Sequence, residues 1–120
     1  MTTEKNLSIA HSWFEAFNSQ NLDKLLSLYD EDASHYSPKL KEKFPLSNGY
    51  ISGKKELHNW WQDAFNRLPS LHYKVKSLTA NSDRVFMEYE RMVANESTTM
   101  IAEVLEFKEN KIISSRVYHF

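Results

Sequence analysis

Four titratable side chains of this 120-residue chain could form one proton-handling group: Glu103, Arg116, Glu88 and His35. Side chains alternate along a strand, and directly paired residues share a face. Glu109-Asn110 has the character of a two-residue hairpin turn between the runs 98–107 and 111–119. If Lys108 and Lys111 flank that turn, Phe107 pairs with Ile112, Leu105 with Ser114, Glu103 with Arg116 and Ile101 with Tyr118. A turn at 94–97 then sets Glu88 opposite Glu103. The result is a Glu88–Glu103–Arg116 cluster, with Tyr118 and Phe86 on the same face. One reading of it is a structural ion pair with a spare carboxylate. The other is a buried acid whose protonation is set by a guanidinium and a second carboxylate. A register slip of one residue would turn the whole set to the other face.

His35 lies two residues before Ser37 and shares its face. An imidazole titrates near neutrality, so His35 is the natural candidate for a base, against the plainer reading of a strand histidine bonded to backbone. A Ser37–His35 nucleophile pair lacks any Gly-rich oxyanion elbow, because the chain has only two glycines, Gly49 and Gly53. The five histidines form no HxH, HxxxH or HExxH pattern, and there are no cysteines, so no metal site is expected. His11 and His119 read as surface residues, His119 on the convex side of the sheet.

The elements that hold these residues follow from periodicity. Residues 5–19 place Ile9, Ala10, Trp13, Phe14 and Phe17 on one helical face. Asn21 is an N-cap for a short helix over 21–29. Residues 32–37 form a strand that Pro38 ends. Residues 38–52 show little periodicity and read as a lid over a pocket. A third helix spans 54–68, with Trp61 in its apolar stripe and Trp60 on the flank towards the pocket mouth. Strands follow at 71–79, 84–93, 98–107 and 111–119. Helices first and strands last is an α+β order. Phe17, Trp60 and Phe86 would line an apolar pocket. The strand face bearing Met87, Tyr89, Met100 and Val104 would be left apolar and exposed, and so points to a homodimer.

Composition narrows the partners. Fifteen Lys and Arg against 16 Asp and Glu leave no basic footprint for nucleic acid or an anionic membrane. No run approaches the apolar length of a membrane span, and the first residues are polar. A single cytoplasmic domain over 1–120 is the expectation.

The runs Trp13-Phe14-Glu15-Ala16-Phe17-Asn18, Leu28-Tyr29-Asp30-Glu31-Asp32-Ala33, Gly53-Lys54 and Ala102-Glu103-Val104-Leu105-Glu106-Phe107, with the final strand, carry a resemblance. Over about residues 7–119 the chain resembles the SnoaL-like and ketosteroid-isomerase-like branch of the nuclear transport factor two-like superfamily. The resemblance implies a cone of helices in a strongly curved sheet, one interior pocket, and a homodimer through the convex sheet face. It implies a small apolar ligand and cofactor-free acid–base chemistry, or a non-catalytic binding module on the same fold. In ketosteroid isomerases an aspartic acid kept neutral stands where Glu103 stands. The oxyanion tyrosine of those enzymes falls on Trp13, and their general base on Ser37. Steroid isomerisation itself is therefore not implied. What remains is Glu103 as acid or base, Arg116 as its partner, His35 as a second proton-transfer group and Trp13 as a pocket donor.

Overall fold

The computed structural model describes residues 2–119. Helix α1 (Thr3–Asn18) begins where the Thr2 hydroxyl accepts from the backbone N–H of Lys5. Helix α2 (Leu22–Ser27) begins where the Asn21 side chain accepts from Lys24 N–H, the cap expected from sequence. Strand β1 (Tyr29–Tyr36) follows, then helix α3 (Pro38–Lys43), a 3-10 turn (Pro45–Ser47), strand β2 (Tyr50–Ser52) and helix α4 (Lys54–Arg67). Strands β3 (His72–Ala80), β4 (Arg84–Met92), β5 (Thr99–Lys108) and β6 (Lys111–His119) complete the chain.

The segment 38–52, expected as an aperiodic lid over the pocket, is built from α3, the 3-10 turn and β2. Ser37 caps α3 by accepting from Lys39 and Leu40 N–H, and Pro38 supplies the first helical φ. Ser37 N–H donates to the Gly49 carbonyl at 3.0 Å, which closes the segment on itself. Gly49 is required there. Its φ is +88°, and a Cβ would stand 2.5 Å from the Tyr36 ring.

The six strands form one sheet in the order β2-β1-β6-β5-β4-β3. All neighbours are antiparallel except β1 and β6. Glu109 and Asn110 both take positive φ, 52° and 66°, as the two-residue hairpin requires. Register irregularities fall between Tyr29 and Ser34, between Val75 and Ser77, and between Glu106 and Phe107. Bulges bend strands and increase their twist, and these three curl the sheet around the helices. Inside the curl lies an aromatic core: Trp13, Phe14, Phe17, Trp61 and Phe65 from the helices meet Tyr29 and Tyr89 from the sheet.

The last bulge overturns the expected register. Phe107 pairs with Ile112, but Glu106 then pairs with Ser114, so Ile113 is an extra residue on β6. Beyond it Glu103 faces Val117, and Arg116 faces Val104. On the other side of β5, Glu103 pairs with Met87 and Glu88 with Ala102. The Glu88–Glu103–Arg116 cluster therefore does not exist. Glu103 points inward, while Glu88, Arg116, Phe86 and Tyr118 point to the outer face. Arg116 is instead bonded to Glu106, which also meets Arg84 at 3.0 Å. The Ser77 hydroxyl donates to Glu88 at 2.8 Å. Met87 and Tyr89, expected on a dimer face, are fully buried in the core. The outer face of β4–β6 carries Phe86, Met100, Ala102, Val104 and Tyr118 instead.

Candidate functional site

A cavity of about 580 Å³ opens between α4, α3 and the concave face of the sheet. That volume is in the range of small-molecule sites. Phe17 comes from α1, Trp60 and Trp61 from α4, Tyr73 and Tyr89 from β3 and β4, and His35 from β1. Aromatic side chains thus form most of the floor. Tyr73 and Tyr89 lie 4.4 Å apart between ring centroids, and His35 lies 5.2 Å from Trp61.

Two polar groups reach the floor from behind. In the first, the Tyr89 hydroxyl is bonded to Glu103 Oε1 at 2.8 Å. Glu103 is 1% exposed and sits beneath Tyr89 rather than on the cavity wall. Its Oε2 is buried without a hydrogen-bond partner. Desolvation pushes the Glu103 carboxyl up to about 8, with the Tyr89 bond pulling weakly the other way. Glu103 is therefore a neutral acid at pH 7. Burial, with Glu103 next, also pushes the Tyr89 phenol well above its ordinary value, so it holds its proton. In this geometry the Tyr89 O–H donates to Glu103 Oε1, and only a neutral carboxyl that donates to the phenol oxygen instead would free the phenol proton for a ligand.

In the second group, the Trp13 indole N–H donates to the Tyr29 hydroxyl at 3.1 Å. Tyr29 donates to the Ser115 hydroxyl at 2.9 Å, and Ser115 Oγ lies 2.7 Å from His35 Nδ1. An indole can only donate, which gives this chain a direction. With Tyr29 donating to Ser115, the Ser115 hydroxyl keeps a proton that it can give to Nδ1, the tautomer in which the ring proton of His35 sits on Nε2. Burial holds the imidazole down at about 3, against the pull of Ser115, so His35 stays neutral at pH 7. His35 is thus a neutral imidazole on the cavity wall.

The other anticipated residues divide cleanly. Phe17, His35, Ser37 and Trp60 line the cavity. The Ser37 hydroxyl is committed to capping α3. Trp13 is a donor as expected, but to Tyr29 and one layer below the wall. Phe86, Glu88, Arg116 and Tyr118 lie on the opposite side of the sheet. His119, expected on the convex face, lines the cavity. Sequence reasoning missed Tyr89 and Ser115 as polar members of the site. The available signal was the alternation Val85-Met87-Tyr89, because the most apolar face of β4 must meet the helices.

No group of three or more His, Asp or Glu residues that could hold a metal ion occurs among the described residues. No helix among them is long and apolar enough to cross a membrane.

A curved sheet closed by helices over one aromatic cavity defines an α+β cone of the nuclear transport factor two-like and cystatin-like type. Within that class the chain belongs to the SnoaL-like domain family, which matches residues 10–115. A SnoaL-like protein of unknown function from Burkholderia thailandensis superposes with TM-score 0.87 at 22% identity, covering 100% of this chain and 98% of its own. A proposed ketosteroid isomerase from Kribbella flavida gives TM-score 0.81 at 17% identity, covering 100% and 82%. A proposed polyketide cyclase from Sinorhizobium meliloti gives TM-score 0.78 at 15% identity, covering 92% and 94%. No curated protein matches the chain. At these identities the likeness is one of fold.

Proposed function

We propose that the cavity binds a small, largely apolar carbonyl compound and catalyses an isomerase- or cyclase-type rearrangement without a cofactor. The observation that carries this reading is the Tyr89–Glu103 pair: a phenol on the cavity wall backed by a buried neutral carboxyl. In this reading Tyr89 O–H, with Glu103 donating to its oxygen, and His35 Nε2–H are the donors, and preorganised donors stabilise the charge that develops on a carbonyl oxygen. Solvent takes the carbon-bound proton, because neither Glu103 nor His35 is a competent base at pH 7. Glu103 keeps Tyr89 protonated and oriented, and Ser115 does the same for His35.

The test is exchange of the α-protons of 2-tetralone in D₂O, followed by NMR. Tyr89→Phe should slow protein-catalysed exchange by about 10²-fold or more, as removal of one oxyanion donor does. Its affinity for the ketone should change little. Exchange no faster with the native protein than in buffer would remove the enzyme reading. A second reading, a non-catalytic binding module, would then lead. It draws on the position of Glu103 beneath Tyr89, out of reach of a ligand.

The assembly we propose is a homodimer through the outer sheet face. Phe86 and Tyr118 are 42% and 47% exposed there. Glu106 neutralises Arg84 and Arg116 within the chain, so the face offers a second copy an apolar surface with its charges already paired. Sedimentation at micromolar concentration should show a dimer, and Phe86→Lys should give a monomer. A native monomer would reject the assembly.

A further inference from the structure

The mouth of the cavity differs in character from its floor. Lys39 and Lys43 from α3, Arg67 from α4 and Arg91 from β4 surround it, against two carboxylates, Glu42 and Glu96. Arg67 and Lys43 share Asp63, at 2.8 and 3.5 Å. Arg91 is different. It lies two residues beyond Tyr89 on the same face of β4, with its side chain only 12% exposed. One of its nitrogens, Nη1, meets Glu96 at 3.1 Å, and its remaining donors have no protein acceptor among the described residues. Lys39 has no ion-pair partner within 4.0 Å among the described residues.

The field these groups make is felt locally. Burial first, and then the Arg91 guanidinium, hold the Lys39 ammonium below its usual value. His119, on the cavity wall, is held down by burial and then by Lys39 and Arg91. Positive charge at the mouth is therefore under-compensated, next to an aromatic floor. A half-buried guanidinium with unused donors is suited to one planar anion in particular, a carboxylate.

We infer that the cavity selects a monocarboxylate whose apolar ring or chain lies on Trp60, Trp61 and Phe17 and whose carboxylate is held at the mouth by Arg91 and Lys39. This rests on the cavity being a ligand site, and not on the carbonyl chemistry proposed above. Arg91 and Lys39 are specificity residues. They fix which end of the ligand faces solvent and bring its other end to Tyr89 and His35.

The experiment uses 2-naphthoate and its neutral isostere 2-naphthamide, with binding followed by quenching of tryptophan fluorescence. A charge-assisted bond to a half-buried guanidinium should favour naphthoate by about tenfold or more at low salt. Added salt should reduce that preference. Lys39→Met lies on an exposed position of α3 and should narrow the preference without altering the fold. Arg91→Met should abolish it, with naphthamide affinity unchanged. Equal affinity for the two probes in the native protein would overturn the inference, as would a preference that survives both substitutions. Naphthoate selectivity in a protein that shows no tetralone exchange would leave this inference standing and remove only the enzyme reading. Failure of both probes to bind would overturn this inference and leave the carbonyl proposal to the tetralone exchange.

Discussion

The stability of this protein should be level between about pH 4.5 and pH 6.5 and should fall on both sides. Two fully buried groups with the largest shifts in this range dominate that profile. Glu103 has an ordinary value of 4.5 and is pushed up to about 8 in the fold, chiefly by desolvation. Above pH 4.5 the unfolded chain releases this proton and the folded chain keeps it, so stability falls with rising pH until about 8. His35 is the mirror case, with an ordinary value of 6.5 brought down to about 3 by burial. Below pH 6.5 the unfolded chain takes up a proton that the folded chain refuses, so stability falls as pH is lowered to about 3. Between 4.5 and 6.5 the two slopes oppose and cancel. Each pH unit outside the plateau costs about 1.4 kcal/mol, and each group alone costs on the order of 5 kcal/mol at its extreme. Urea unfolding across pH 3–9 measures the curve. Glu103→Gln keeps the shape and the acceptor for Tyr89 while removing the titration, so its alkaline limb should flatten. An alkaline limb that survives in this variant would mean that Glu103 is not the group responsible.

Trp13→Ala should remove about 3–5 kcal/mol, the usual loss for a large aromatic taken from a packed core. That is a large share of the roughly 5–15 kcal/mol that holds a domain together. Trp13 is 1% exposed and packs against Phe14, Phe17, Tyr73 and Tyr89, with centroids 4.4 to 5.9 Å away. Its N–H also anchors the Tyr29–Ser115–His35 chain. Trp13→Phe should cost less in packing but lose that direction-setting donor, letting the His35 proton move between its nitrogens. The ring ¹⁵N shifts of His35 report this separately from stability. Unfolding at pH 5.5, on the plateau, keeps titration out of the comparison. A loss for Trp13→Ala below about 1.5 kcal/mol would show that the core closes over the vacancy.

The fold was legible where periodicity and caps agree. The stripe through Ile9, Trp13 and Phe17, the Asn21 cap, the hairpin at Glu109-Asn110 and the late run of strands are local signals, and each stands in the structure. The site was legible only in part, because strand faces depend on register. Ile113 is indistinguishable from any other apolar strand residue in sequence, yet as a bulge it carries Arg116 to the far side of the sheet. The loop between β4 and β5 shifted the pairing by one more residue, which moved Glu88 and Phe86 outward and Tyr89 inward. Glu103 kept its face because β5 itself is regular. His35 was placed correctly by its parity with Ser37, but its link to Trp13 through Tyr29 and Ser115 is a tertiary fact that no local pattern carries. The segment 38–52 looked unstructured because short caps and turns carry no period.

The pairing of β1 with β6 has a consequence for how the protein is made. His35 and Ser115 are neighbours across the sheet's one parallel junction, yet 80 residues apart in the chain. On the ribosome, α1, α2 and β1 emerge with their apolar sides uncovered, and the strand that must seal them is synthesised only after β2 to β5. Loop closure over so many residues precedes any reward from the contact, which slows assembly and lengthens exposure of the nascent aromatic stripe. A nascent chain arrested before Lys111 would have Trp13, Tyr29 and His35 already in sequence, but nothing to align them. Proton direction at the cavity floor is thus acquired only when β6 docks beside β1.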